Sequence, residues 1–175
     1  PSVRILYGGS IEPSYLDGTA LRYLYCVDLF RYVYSGTSYP QTYVNDEGKI
    51  YGSLLNNAGQ VAWLLTNYGT GGQGDQAKAL QAAIWNVVHG SSVYRLDRAY
   101  YGDGSTVVTL YDTMLANLST EDVADFLWIT PGRDTFGKTF FYQGLVGDPV
   151  PIPGAVWLLG SGLLGLVAIR RRFKK

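Results

Sequence analysis

The chain has 175 residues, 47% hydrophobic and 14% aromatic, enough to bury a core within one domain and a tail. The formal charge of zero hides a split: Arg170, Arg171, Arg172, Lys174 and Lys175 fall in the last six residues, and the rest carries nine basic and 14 acidic side chains. Such a mildly acidic body argues against nucleic acid as a partner, and a single cysteine, Cys26, excludes an internal disulfide.

Taken in order, residues 2–7 alternate loosely and predict an opening strand, and residues 10–19 are turn-rich. Pro1 in place of Met leaves two alternatives, an export signal removed or a piece of a longer chain. Residues 21–34 are dense in Tyr, Leu, Val and Phe and predict a strand. Its alternation puts Tyr23, Tyr25, Val27, Leu29 and Val33 on one face, and Leu24, Cys26, Asp28 and Phe30 on the other. Residues 35–52 read as a loop. Residues 53–67 predict a helix with the stripe Leu54, Leu55, Ala58, Val61, Ala62 and Leu65. A short Gly-rich connection leads to a second helix, residues 77–88, with Asp75 as its expected cap and Gly90 as its stop. Residues 106–118 lean to helix. Residues 122–129 and 135–146 predict two strands that complete a sheet with the early ones.

Two of these elements carry chemistry. Gln81 sits inside the apolar stripe Ala77, Leu80, Ile84, Trp85 and Val88. A buried amide without partners costs a few kcal/mol, so something must use it. It either hydrogen-bonds to a neighbouring backbone, as most buried polar groups do, or offers its carboxamide carbon to a thiol. The only thiol is Cys26. Attack on Gln81 with loss of ammonia would give an internal thioester.

Tyr25-Cys26-Val27, followed by Leu80-Gln81-Ala82-Ala83-Ile84-Trp85, resembles the paired signature of bacterial thioester domains, surface adhesins of Gram-positive bacteria. The resemblance implies a Cys26–Gln81 bond that captures a nucleophile on a target, and it covers a domain at 1–147. A thioester lasts only where water is excluded. Tyr25, Phe30, Trp63, Ile84 and Trp85 are the expected wall, and Asp28 would either orient the site or cap a backbone amide. Trp63 and Trp85 are open to a second reading as ordinary core.

Three other readings compete. An enzyme would pair Cys26 with His89, the only histidine, as nucleophile and base, but no orienting partner is evident. Metal binding lacks ligand spacing. A structural membrane subunit or matrix component would need Cys26 and Gln81 only to pack. The expectation is a single-turnover covalent binder and not an enzyme.

The tail has its own logic. Residues 148–153 are a Pro-rich break, and residues 152–169 are apolar and uncharged, at about 1.5 Å rise per residue just enough to cross a bilayer. Residues 154–169 are the expected transmembrane helix, with Trp157 at one interface and the basic residues 170–175 on the cytoplasmic side, which places the domain outside. Val150-Pro151-Ile152-Pro153, the Gly-rich span and Arg170, Arg171 and Arg172 resemble a PEP-CTERM sorting signal of Gram-negative bacteria in its Val-Pro-x-Pro form, with Ile152 where the strict form has Glu. That resemblance implies recognition by an exosortase and release to the cell surface or extracellular matrix. The partners expected are then this sorting protease, the membrane, and a protein or polysaccharide bearing an amine or hydroxyl. The fold expected is α+β: a sheet or barrel-like sandwich with an inserted helical hairpin, and one C-terminal membrane helix.

Overall fold

The computed structural model describes residues 2–3, 9–34, 36–39, 42–132 and 142–149. Its elements run β1 (Ser2–Val3), β2 (Tyr15–Leu16), β3 (Thr19–Ala20), β4 (Leu24–Cys26), β5 (Tyr43–Asn45), β6 (Lys49–Ile50), β7 (Ser53–Leu54), α1 (Ala58–Tyr68), α2 (Asp75–His89), β8 (Arg95–Leu96), α3 (Arg98–Tyr101), α4 (Thr106–Ala116), β9 (Phe126–Thr130) and β10 (Leu145–Pro149). The class is α+β, with four α-helices and several sheets among the described residues.

The central sheet has the order β4-β10-β9-β5 and is antiparallel throughout. The late strands therefore do join the early ones, with β10 seated between β4 and β9. None of the sheets among the described residues closes into a barrel, which corrects the barrel-like part of the expectation. β1 runs parallel to β8, and β2–β3 and β6–β7 are two small hairpins. Asp17 and Gly18, at φ 48° and 80°, make the tight left-handed turn that β2–β3 needs.

Strand alternation splits the apolar residues into two layers. Tyr25, Val27, Trp128 and Val146 face the helices and join the main core with Leu64, Leu80, Ile84 and Met114. Leu24, Cys26, Ile129 and Leu145 face the other way and form a smaller cluster. Helix α2 lies at the centre, packed on α1, α4 and β4. Ala77, Ala79, Ala82 and Ala83 are all buried, and their small side chains let its neighbours come close.

Several boundaries differ from expectation, among them those of the late strands expected at 122–129 and 135–146, which among the described residues run Phe126–Thr130 and Leu145–Pro149. The helix expected at 53–67 starts at Ala58, because Tyr51 and Gly52, at φ 55° and 77°, turn the chain into β7 first. The strand expected at 21–34 is regular only over Leu24–Cys26. No helix among the described residues is long and apolar enough to cross a membrane. The expected span at 154–169 and the sorting residues Val150, Pro151, Pro153, Arg170, Arg171 and Arg172 lie outside the described residues.

Candidate functional site

The backbone register sets up the site. Val27 N–H donates to Gly144 O at 2.9 Å, and Cys26 stands opposite Leu145. In an antiparallel pair the bonding alternates, so the N–H and C=O of Cys26 point away from β10. Strand β4 is at the margin of the sheet, and that side would be an open edge.

Helix α2 closes it with one side chain. Cys26 N–H donates to Gln81 Oε1 at 2.9 Å, and Gln81 Nε2 donates to Cys26 O at 2.7 Å. The carboxamide takes the place of a peptide group from a further strand. Two residues earlier the same edge is closed by other means: Leu24 N–H donates to Ser10 Oγ at 3.0 Å, and Ile11 N–H donates to Leu24 O at 2.8 Å. Gln81 is 1% exposed and Cys26 8%.

Side chains stand roughly perpendicular to a sheet. A carboxamide bonded to both polar groups of Cys26 lies near the plane of the strand edge, while the Cys26 side chain rises from that plane. The thiol is thereby on the side of the sheet where Leu24, Ile129 and Leu145 pack. Burial, reinforced by the Asp28 charge, pushes the Cys26 thiol up to about 12, so it is protonated at neutral pH.

The surrounding residues divide. Trp85, one turn beyond Gln81, packs against both apolar clusters and so covers the junction. Its ring meets Tyr94 edge-on at 5.6 Å, and its Nε1–H is buried with no hydrogen-bond partner among the described residues. Ile84 is fully buried in the main core below. The other expected wall residues lie elsewhere. Tyr25 faces the main core and donates its hydroxyl to Thr70 O. Trp63 packs edge-on against Tyr68 in that same core. Phe30 is 69% exposed beside His89. Strand alternation removes Tyr25 from the thiol's side, and the early end of the regular strand turns Phe30 outward.

Asp28 does what a short carboxylate after a strand commonly does: Oδ1 accepts from Phe30 N–H at 2.8 Å, and Oδ2 accepts from Tyr51 Oη–H at 2.8 Å. His89 Nε2 lies 3.2 Å from both Leu29 N and Val27 O. That nitrogen is engaged by backbone beyond Cys26, and burial lowers its basicity. No group of His, Cys, Asp and Glu that would hold a metal occurs among the described residues.

On the Cys26 side of the sheet there is a cavity of about 850 Å³. Its floor is Leu24, Ile129 and Leu145, the residues that pack with Cys26. Sequence reasoning missed this floor and Ser10. Ser10 lies in a turn-rich stretch with no motif, and the floor is assembled from strands more than a hundred positions apart in the chain.

Comparison with protein-family models, with curated proteins and with solved structures gives no match to this chain.

Proposed function

We propose that Cys26 and Gln81 form an internal thioester, and that the domain uses it once to attach itself covalently to an amine or hydroxyl on a partner. The observation that carries this reading is the double hydrogen bond between the Gln81 carboxamide and the backbone of Cys26, the residue that bears the thiol.

The chemistry follows from that arrangement. Sγ adds to Gln81 Cδ, and the Cys26 N–H stabilises the carbonyl oxygen as it gains charge. The thiol proton passes to the amide nitrogen, the C–N bond breaks, and ammonia leaves. Attack by a partner amine then gives an amide, attack by a hydroxyl an ester. In each case the C–S bond breaks and the sulfur takes the nucleophile's proton. A high thiol pKa makes sulfur a reluctant leaving group, which favours survival of the bond until a nucleophile is held against it. One turnover consumes the site, so the protein is a covalent binder and not an enzyme. The tail supplies the setting: export with the domain outside, a membrane helix at 154–169, and sorting at the Pro motif to the cell surface or matrix.

A structural reading rests on the same pair of hydrogen bonds. They meet the needs of a buried amide and seal an open strand edge without further chemistry. Methylamine separates the two. The covalent reading predicts an adduct at Gln81 that is absent from Cys26→Ala; native protein that takes up no methylamine overturns it.

A further inference from the structure

The cavity over the Cys26 face has a composition of its own. Leu145, in its floor, is the register partner of Cys26 in a pair whose Cα atoms stand about 4.5 Å apart. Leu24, also in the floor, is two positions along the same strand face, about 7 Å away. Ile11, which closes the same strand edge as Gln81, forms one side. The cavity therefore lies on the Cys26 side of the sheet, and Cys26, which is not itself among the lining residues, packs beside its floor.

Its rim is aromatic and hydroxylated. Tyr15 and Tyr34 are each 65% exposed, and the Tyr39 hydroxyl accepts from Tyr34 N–H at 2.6 Å. Ser and Thr side chains supply the remaining polar lining, and among the described residues Asp17 is the one charged residue in it. A cationic lysine would meet a single carboxylate there and would lose its hydration for little return. A ring with apolar faces and hydroxyl edges matches tyrosine faces and Ser/Thr oxygens on both counts.

We infer that this cavity binds a neutral glycan segment and that a hydroxyl of that glycan is the nucleophile presented to Gln81. The second half rests on the thioester reading; the first does not. In the reaction the glycan oxygen bonds to Gln81 Cδ, the Cδ–Sγ bond breaks, and the hydroxyl proton ends on sulfur. The linkage is an ester.

The test uses the full chain in two forms. Cys26→Ala, which has no thioester, is titrated calorimetrically with neutral gluco-, manno- and galacto-hexasaccharides. At least one binds, and Tyr15→Ala or Tyr34→Ala on the rim weakens it by about fivefold or more. Wild-type protein incubated with that sugar gains its mass, and hydroxylamine removes it, as for an ester and unlike an amide. Binding of none of the three sugars overturns the glycan assignment, even where methylamine labels Gln81 and the thioester stands. Preferential binding of a lysine peptide, or a hydroxylamine-resistant adduct, overturns it as well. Sugar binding with no covalent adduct supports the cavity assignment and overturns the glycan hydroxyl as the nucleophile, while methylamine labelling of Gln81 decides separately whether the thioester exists.

Discussion

Gln81 grips Cys26 by both ends of its peptide unit, accepting from its N–H at 2.9 Å and donating to its C=O at 2.7 Å, so one side chain stands in for a missing strand. A background without the thiol isolates what this is worth. Added to Cys26→Ala, Gln81→Ala leaves two buried backbone groups unpaired and costs about 3 kcal/mol in urea unfolding. A loss below about 1 kcal/mol would mean that water or another side chain takes over the edge.

Wild type against Cys26→Ala asks a different question. A covalent link across the 55 positions between the two residues removes loop entropy from the unfolded chain, about 4 kcal/mol. Packing of a thiol alone is worth about 1 kcal/mol. A difference near the larger figure is expected.

Trp85 covers the junction from the helix side. Trp85→Ala opens that cover and speeds hydrolysis of the thioester, so the freshly purified variant shows a growing fraction of free thiol by mass and thiol titration. A thioester as long-lived as in wild type would remove Trp85 from the protective role.

Much of this was legible in advance, and the reasons are local. Helix α2 announces itself by a regular apolar stripe and by Gly90 at its end, although Gly74 rather than Asp75 is its N-cap. The two faces around Cys26 follow from strand period, and Tyr23, Tyr25 and Val27 do share the helix-facing side. Leu54 misled: it completes a helical stripe on paper, yet sits 69% exposed in a hairpin, because two left-handed residues just before it turn the chain. Cys26 and Gln81 were visible as a pair only because the chain holds one thiol and because the two motifs resemble a paired signature. The cavity was not, because its walls come from β2, β4, β9 and β10, and nothing local marks such a meeting.

Gly147 offers a check on the sheet beside the site. A Cβ there would strike Tyr23 O and the Leu24 backbone, neither of which can rotate away. Gly147→Ala therefore forces β10 off β4 and costs about 2–3 kcal/mol, with loss of methylamine labelling at Gln81. A variant of unchanged stability would place the β4–β10 pairing in doubt.

His89 sets an acid limit. Burial lowers its folded pKa, against smaller opposing effects of Val27 O and Asp28. The unfolded chain then takes up the proton first, so this contribution to stability is intact at neutral pH and is lost as pH falls below about 6.5. NMR titration of the ring should give a midpoint below that value, and His89→Gln should flatten the stability profile just beneath it. A midpoint above the ordinary histidine value would contradict the burial seen here.

The most direct measurement is the intact mass of the natively purified, unreduced chain. A Cys26–Gln81 thioester predicts a mass about 17 Da below that of the sequence, restored in Cys26→Ala to the value its sequence demands. Full mass in freshly prepared wild-type protein, with Cys26 alkylated quantitatively after unfolding, would show that the two side chains only pack.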